Sequence, residues 1–294
     1  MKDDRSIGRV LVTGAAGEIG TALRAGLAGR YRLRASDIAA LTAVASDEEL
    51  VRADLCVPAE IMGAMPGVEV VVHLGGVANE HPWERIAAVN IGGTQAVLEA
   101  ARQAGARRVI LASSVHAVGF HPRRLIGTDV ATRPDTYYGV SKVALEALGR
   151  LYAEKWGLEV VCLRIASFQV EPRDRRHLST WLSPRDMVQL VTRCIETPVL
   201  AERRFMIINA ISANTRRWMD DTDWAAIGYA PVDDAERFAS EVEHLHGPDD
   251  DVTEKVQGGL FAAPDYRGLG RQGSATEHAD RSNGPSGAQE VRNP

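Results

Sequence analysis

The sequence contains few cysteines and no long apolar run. Its 294 residues include three widely separated cysteines, Cys56, Cys162 and Cys194. Their odd number and wide spacing argue against a disulfide framework or a zinc site and are typical of a protein in a reduced cytoplasm. The longest apolar stretch, residues 68–78, is interrupted by a glutamate and a histidine. It is too short to span a bilayer.

An excess of positive charge is also missing. The net charge is −5 and the pI is near 5.9, which gives no electrostatic reason to expect binding to nucleic acid or to an anionic membrane. Residues 1–9 are polar and lack the apolar core of a signal peptide. We therefore expect a cytoplasmic protein that binds a small molecule and could form a homo-oligomer.

What the chain does contain is a regular alternation of short apolar strands and helical stretches. The predicted strands are residues 9–13, 31–36, 69–75, 107–112 and 158–165. The predicted helices are one that ends near Gly29, one at 84–104 and one at 136–156. Such alternation predicts an α/β fold with a Rossmann-type doubly wound parallel sheet.

The pattern changes after residue 165. Residues 166–265 are predicted to form a small C-terminal substrate-binding cap with strands that return to the core. It comprises a polar loop at 167–180, a helix at 184–196, a strand at 205–209 and an amphipathic helix at 233–245. Residues 266–294 are predicted to be a disordered tail, because so few apolar side chains cannot offset the entropy of ordering.

Glycines follow the first strand in a G-x-x-G-x-x-G spacing, at Gly14, Gly17 and Gly20. Gly14 permits a tight turn, Gly17 lets the backbone approach a pyrophosphate, and Gly20 lets the helix pack closely on the strand. The phosphates would lie at the helix N-terminus, where free N–H groups favour an anion. With a strand before it and a helix after it, this spacing predicts that residues 1–165 bind a dinucleotide.

An acidic residue after the second strand indicates which of the two dinucleotides, NAD or NADP, the site binds. Asp37 stands about 20 residues beyond Gly14, where a carboxylate hydrogen-bonds the ribose hydroxyls of NAD and repels a 2′-phosphate. Glu18 adds a second negative charge nearby. The pattern therefore predicts NAD rather than NADP, and the alternative is a surface aspartate that caps a helix.

Three further places belong to the predicted cofactor site. Asp54 and Leu55 are predicted to reach the adenine edge, although Asp54 could instead cap a helix before Pro58. Residues 74–76 end a strand with paired glycines, which either let the backbone approach a ligand or simply form a tight turn. Asn90 is an amide on an apolar helix face, either a satisfied buried asparagine or a residue that fixes the active-site loop.

Tyr138 and Lys142 lie one helical turn apart, so they project from one face of a helix. A cation beside a phenol favours the phenolate and lowers its pKa. Ser114 ends an apolar strand and could share the hydrogen bond to a substrate oxygen. The trio predicts proton transfer to or from an alcohol; the alternative for the Tyr138–Lys142 pair is chance occurrence on a solvated helix face.

Histidines and arginines near this trio could contact a substrate. His116 and His121 lie close to Ser114 in sequence, but no further ligands are spaced for a metal, so no metal site is predicted. His116 is predicted to contact substrate or a loop, or merely to be packed. Three arginines form either a solvated loop face or a clamp for a substrate carboxylate, at Arg173, Arg175 and Arg176.

At these residues the chain resembles the extended short-chain dehydrogenase/reductase superfamily, the NAD-dependent epimerases and dehydratases. Within it, the chain is most similar to the uronate dehydrogenases. The match runs from about Arg9 to Phe261 and includes Tyr-Gly-Val-Ser-Lys at 138–142 and the much narrower Leu-Ser-Thr-Trp at 178–181. The resemblance implies NAD-dependent oxidation of a hexuronic acid at C1 to an aldarolactone.

The resemblance also implies a role for each residue. Ser114 would polarise the C1 hydroxyl, Tyr138 would take its proton as general base, and Lys142 would hold the nicotinamide ribose and lower the pKa of Tyr138. Together with the residues above, the predicted cofactor-binding set is Gly14, Gly17, Glu18, Ile19, Gly20, Asp37, Asp54, Leu55, Leu74, Gly75, Gly76, Asn90, Tyr138, Lys142, Ile165 and Phe168. The predicted substrate-binding set is Ala78, Ser114, Val115, His116, Tyr138, Ser167 and Arg176.

Two positions depart from the family pattern. The family carries a serine where this chain has Ala78 and an asparagine where it has Val115, so the resemblance predicts the reaction and leaves the sugar open. Three alternatives remain. They are an NAD-dependent dehydrogenase of another sugar, a nucleotide-sugar epimerase or dehydratase, whose substrate domain is normally larger, and an NAD-sensing protein, which typically lacks the tyrosine or the lysine.

Overall fold

A single parallel sheet organises the protein. The computed structural model describes residues 7–248, 250 and 252–268. Its strands are β1 Arg9–Thr13, β2 Arg32–Asp37, β3 Glu49–Arg52, β4 Val68–His73, β5 Arg108–Ser114, β6 Glu159–Ile165, β7 Ser167–Phe168, β8 Trp181–Leu182 and β9 Phe205–Ala210. Seven of them pair in parallel in the order β3-β2-β1-β4-β5-β6-β9. The predicted Rossmann-type doubly wound sheet is confirmed.

Helices cover both faces of this sheet. They are α1 Glu18–Leu27, α2 Pro58–Gly63, α3 Trp83–Ile86, α4 Gly93–Gln103, α5 Tyr137–Trp156, α6 His177–Thr180, α7 Pro184–Glu196, α8 Leu200–Arg203, α9 Trp224–Ile227 and α10 Ala239–Val242. One buried apolar cluster lies between the sheet and helices α1 and α7, and a second lies between the sheet and helices α2, α4 and α5. Burial on both faces explains why β4, β5 and β6 each contain a continuous apolar run and not an alternating pattern.

Several elements differ from the prediction. The prediction gave no bounds for the short edge strand β3, whose half-buried residues Glu49–Arg52 carry two charges in four positions. The helix predicted at 84–104 is interrupted by a π-helical turn at Ala87–Gly92. The helix predicted at 233–245 is a 3₁₀ turn, Ala235–Phe238, followed by the single turn of α10.

The predicted cap contributes directly to the main sheet, since β9 pairs with β6 along its length. The predicted polar loop at 167–180 contains β7 and α6. The predicted tail at 266–294 lies outside the described residues, apart from 266–268. Within the described part of the chain, no helix combines the length and the apolar character needed to cross a membrane.

Helix α5, which carries the tyrosine and the lysine, has a clear signal at each end. At its N-terminus, the Thr136 hydroxyl accepts a hydrogen bond from the Gly139 amide, as an N-cap does. At its C-terminus, Gly157 adopts the left-handed conformation at φ 72°. These local signals explain why its predicted and observed bounds agree within one residue.

The buried Arg108 connects the N-terminal end of β5 with the C-terminal end of α7. Arg108 of β5 donates to the carbonyls of Cys194, Ile195 and Thr197 at 2.6–2.8 Å, where α7 ends. Its Nε also donates to the buried Glu159 of β6 at 2.7 Å. One side chain therefore satisfies the last carbonyls of a helix and a carboxylate that burial would otherwise make costly.

We expect Arg108→Met to lower the free energy of unfolding by about 3 kcal/mol, because it leaves three helix-terminal carbonyls without this donor and removes the more buried of the two arginines that donate to Glu159. Urea denaturation followed by circular dichroism measures the change. The matched control is Arg203→Met, which breaks the exposed pair with Asp223 and should cost less than about 1 kcal/mol. Equal losses in the two variants would contradict this account of Arg108.

Candidate active site

A cavity of about 970 Å³ opens at the carboxyl ends of the parallel strands. This is where ligands bind in open α/β sheets, at the point where the strand order reverses between β1 and β4. All the predicted site residues line this cavity except Asn90 and Val115. The side chains predicted to handle a cofactor, a proton and a carboxylate thus share one enclosed space.

At one end of the cavity, glycines form a cradle that no larger residue could form. Gly14 has a φ of +68°, and a Cβ atom there would lie 2.6 Å from the Gly75 amide nitrogen. A Cβ atom on Gly20 would lie 2.4 Å from the Gly14 carbonyl oxygen. Gly17 is the N-cap of α1 and supplies no side chain, so the first N–H groups of this helix are left for a ligand. The geometry fits a pyrophosphate.

Asp37 ends β2 and lines the same part of the cavity. Its Oδ2 accepts from the Ala16 amide at 2.9 Å and its Oδ1 accepts from the Ala39 amide at 3.0 Å. The carboxylate is therefore held against the glycine turn and does not cap a helix. Asp54 also lines the cavity; it accepts from the Cys56 amide, and the N-cap of α2 is Val57 instead.

Asn90 does not line the cavity, contrary to the predicted cofactor contact. Its side-chain amide accepts from the Val77 amide at 2.8 Å and donates to the Val77 carbonyl and to Ser141 Oγ. These three hydrogen bonds connect the loop after β4 with the helix that carries Lys142. Asn90 therefore fixes the active-site loop from behind.

Val115, which was predicted to contact substrate, also does not line the cavity. Its side chain is fully buried in the apolar cluster on the α1 face of the sheet. The reason is local, since the chain enters a 3₁₀ turn, Val115–Val118, directly after β5. That turn sends Val115 into the core and His116 toward the cavity. Ala78, the other departure from the family pattern, does line the cavity.

The serine, tyrosine and lysine meet where β5 ends beside α5. The Ser114 hydroxyl lies close enough to the Tyr138 phenol to lower its pKa. Lys142 Nζ donates to the Ala112 carbonyl at 2.6 Å and lies 5.2 Å from the centroid of the Tyr138 ring. All three side chains are buried except for the small surface that faces the cavity. The adjacent Tyr137 is exposed and packs on Trp83.

The pKa of Tyr138 differs from the prediction. Burial raises it to about 12, the nearby Ser114 hydroxyl lowers it in part, and the negative charge of Asp135 raises it. Lys142 does not lower it, because the ammonium points to the Ala112 carbonyl and burial lowers the pKa of Lys142 itself to about 8. In the protein alone, Tyr138 is therefore a neutral phenol near neutral pH.

Arg176 forms the opposite end of the cavity. Its Nε and Nη2 donate to the Gln257 carbonyl at 3.1 and 2.6 Å, and its Nη1 donates to Ser167 Oγ at 3.0 Å. Burial lowers the pKa of Arg176 to about 10. Among the described residues no carboxylate lies within ion-pair distance of it. Arg175, by contrast, pairs with Glu254 and is exposed, as is Arg173.

A C-terminal segment completes this end of the site. We call residues 252–262 the closing segment. Its backbone bonds to residues that follow the 3₁₀ turn, since the Gln257 amide donates to the His121 carbonyl and the Gly258 amide donates to the Gly119 carbonyl. Arg123 donates to Glu254 and to the Thr253 carbonyl, both at 2.6 Å. Phe261 then lines the cavity and stacks on His116.

Several residues at this site were not predicted from the sequence. Asp135 binds His116, and Glu80 accepts from the Tyr137 and Tyr138 amides at the start of α5. Neither lies in a motif, since Asp135 directly precedes the N-cap of α5 and Glu80 lies 58 residues before Tyr138. The sequence resemblance extends to Phe261 and so includes most of the closing segment, but it predicted no contact for these residues.

Comparisons with known proteins give consistent matches. The model of the NAD dependent epimerase/dehydratase family matches residues 10–201. Uronate dehydrogenase from Pseudomonas putida is 40% identical over 258 residues, which cover 86% of this chain and 95% of that protein. A uronate dehydrogenase variant from Agrobacterium tumefaciens, crystallised with NAD, is 38% identical with a TM-score of 0.82, covering 87% of this chain and 97% of that one. Glucuronic acid dehydrogenase from Chromohalobacter salexigens gives the same identity, coverage and TM-score.

We expect Lys142→Met to raise the free energy of unfolding by about 1–2 kcal/mol at pH 7, because it removes a buried charge that has no carboxylate partner. The folded-state pKa of Lys142 is about 8, below its ordinary value of 10.5. Between these values the unfolded chain binds more protons, so the stability of the unsubstituted protein rises with pH. The advantage of Lys142→Met should therefore shrink as the pH rises from 8 to 10.5.

Urea denaturation without cofactor over this pH range measures the effect. The matched control is Lys155→Met on the exposed face of the same helix, which should change stability little at any of these pH values. A loss of stability in Lys142→Met at pH 7, or a pH-independent difference, would show that burial of the Lys142 charge is not costly.

Proposed function

We propose that this chain, which belongs to the NAD dependent epimerase/dehydratase family, oxidises a hexuronic acid such as galacturonate or glucuronate at C1. NAD is the oxidant and an aldarolactone is the product. The family resemblance seen in the sequence is confirmed by relatives about 40% identical over most of the chain. Those relatives are uronate dehydrogenases, and their activity supports this substrate class.

The proposal is supported above all by the residues that line one cavity. This cavity joins the glycine cradle beside Asp37, the Ser114–Tyr138–Lys142 trio and the guanidinium of Arg176. A dinucleotide, an alcohol that loses a proton and a carboxylate are the three chemical groups that these parts fit. A uronic acid is a molecule that carries the last two.

The residues of the cradle fit NAD. The Asp37 carboxylate is oriented by two backbone amides and keeps capacity to accept from a ribose hydroxyl, whereas a 2′-phosphate would meet its negative charge. When bound, NAD supplies a hydride acceptor and a positive charge on its oxidised nicotinamide ring. Ile165 and Phe168 line the cavity beside the trio and would exclude water from the reacting carbon.

The trio handles the proton of the C1 hydroxyl. Ser114 orients that hydroxyl, and Tyr138 accepts its proton as the C1 hydride leaves. Only the phenolate form of Tyr138 can accept this proton, and the positive charge that NAD would bring beside the phenol favours that form. Lys142 contributes by position, because the hydrogen bond from its ammonium to the Ala112 carbonyl fixes α5 against β5.

Arg176 receives the carboxylate of the sugar acid. Its guanidinium is held by the Gln257 carbonyl and by Ser167, neither of which neutralises its charge. A buried guanidinium without an acidic partner stabilises an anionic ligand far more than a neutral one. Ala78 offers no hydroxyl where the family has serine, so this chain makes one polar contact fewer with the sugar.

We expect NADH absorbance at 340 nm to rise when the protein meets NAD and galacturonate or glucuronate. Tyr138→Phe should lower turnover by about 10²–10⁴-fold, because it removes the proton acceptor and little else. Calorimetric titration with NAD should give nearly the same affinity for both proteins. NADP measured in parallel should support little turnover because of Asp37.

Two results would contradict these assignments. Absence of turnover on a panel of uronates, aldoses and hydroxysteroids would argue against any dehydrogenase of this kind. Unchanged turnover in Tyr138→Phe would remove Tyr138 from the mechanism. The exposed neighbour gives a matched control, since Tyr137→Phe should leave activity unchanged.

We expect Arg176→Ala to raise the KM for uronates at least about tenfold, which corresponds to a lost charge-assisted hydrogen bond of about 1.5–3 kcal/mol. Steady-state kinetics on a uronate and on the matching neutral aldose measure the difference. The control is Arg175→Ala, which removes an exposed guanidinium paired with Glu254. An equal effect of Arg176→Ala on acidic and neutral sugars would contradict the carboxylate clamp.

A further inference from the structure

We propose that Asp135 is a positioning residue that keeps the proton of His116 on Nδ1, so that Nε2 meets the substrate as a hydrogen-bond acceptor. The proposal deepens the proposed function and rests on it in one respect, namely that the group opposite Nε2 is a sugar hydroxyl. It assigns the two ends of the sugar acid to two different residues of the cavity.

The carboxylate of Asp135 is held on both of its oxygens. Oδ2 lies 2.8 Å from His116 Nδ1, and Oδ1 accepts from the Thr136 hydroxyl at 3.1 Å. That hydroxyl must donate to Asp135, because an ionised carboxylate can only accept; its oxygen also accepts from the Gly139 amide at 2.9 Å. The Asp135 side chain is completely buried.

Two glycines make room for this carboxylate. A Cβ atom on Gly119 would lie 1.9 Å from Asp135 Oδ2, and one on Gly258 would lie 1.8 Å from it. The two glycines are themselves joined by a backbone hydrogen bond. Asp135 is therefore enclosed between the closing segment and the turn after β5, where neither it nor its partner can easily move.

The His116 ring is fixed by aromatic contacts as well. It stacks on Phe261 with ring centroids 4.2 Å apart, and it meets the edge of Tyr138 at 5.7 Å. With Nδ1 bound to Asp135, the ring has one nitrogen left, and no described residue bonds to it. His116 lines the cavity, so Nε2 is available to a ligand.

The hydrogen bond between Asp135 and His116 determines whether Nε2 donates or accepts. A carboxylate only accepts, so Nδ1 must be the donor, and a neutral imidazole carries a single N–H. Nε2 is therefore an acceptor, which suits a hydroxyl and disfavours a carboxylate. Arg176 only donates, which suits the carboxylate. The two side chains together determine which end of the sugar acid lies at Tyr138.

The variant that tests this is Asp135→Asn, which keeps the shape of the side chain. We expect the amide oxygen to occupy the Oδ1 position, where it accepts from the Thr136 hydroxyl, so that the NH₂ group faces His116 Nδ1. Nδ1 must then accept, and the proton moves to Nε2. An aspartate-to-asparagine change beside a histidine reverses the tautomer in this way in the serine proteases.

The ¹⁵N spectrum of the histidine-labelled protein with NAD distinguishes the two tautomers, and His116→Gln assigns the signal. We expect Nδ1–H in the unsubstituted protein and Nε2–H in Asp135→Asn. The kcat/KM for a uronate should fall at least about tenfold in the variant, because two donors would face each other. NAD affinity and the unfolding midpoint should stay the same. Asp129→Asn, on the exposed part of the same loop, is the control for the change of charge.

A proton on Nε2 in the unsubstituted protein, or a doubly protonated ring at the assay pH, would overturn the proposal. So would an unchanged kcat/KM for uronate in Asp135→Asn once its tautomer has reversed. If Asp135→Asn does not fold, the spectrum of the unsubstituted protein alone decides the tautomer. The spectrum needs no substrate, so absence of uronate turnover would contradict the proposed function and leave the tautomer measurement standing.

Discussion

The polar groups that α5 buries attach it to the sheet, and the site depends on that attachment. Lys142 donates to the Ala112 carbonyl of β5. One turn later, Glu146 accepts from Ser113 and pairs with Arg164 of β6 at 2.9 Å. Burying such groups is costly unless every one has a partner, so only one position of the helix on the sheet satisfies them all. Because the reacting hydroxyls belong to the next residue of β5 and the preceding turn of α5, the same bonds set the distance between them.

Charge is distributed unevenly along the cavity. Carboxylates of Glu18 and Asp37 line the end with the glycine cradle, and the guanidinium of Arg176 lies at the other end. A dinucleotide and a sugar acid are both negatively charged, yet each can keep its own place in the cavity. The carboxylates at one end repel the sugar acid, and Arg176 at the other end attracts its carboxylate.

Features encoded by neighbouring residues could be predicted from the sequence, and features that depend on distant loops could not. The glycine turn at Gly14 and the limits of α5 follow from steric and capping rules that act within a few residues. Val115 was misplaced because a single 3₁₀ turn decides which way its side chain points. Asn90 and Asp135 act through hydrogen bonds that span 13 to 51 residues of sequence, and no local pattern specifies such partners.

The closing segment has a consequence for the order in which the site forms. Every strand of the main sheet lies before residue 211, whereas the carbonyl that holds Arg176 and the ring that stacks on His116 come from residues 257 and 261. Chains are synthesised from the N-terminus and their early parts fold first. The dinucleotide end can thus assemble while the substrate end is still being translated. A nascent chain would be able to hold its cofactor before it could recognise anything to oxidise.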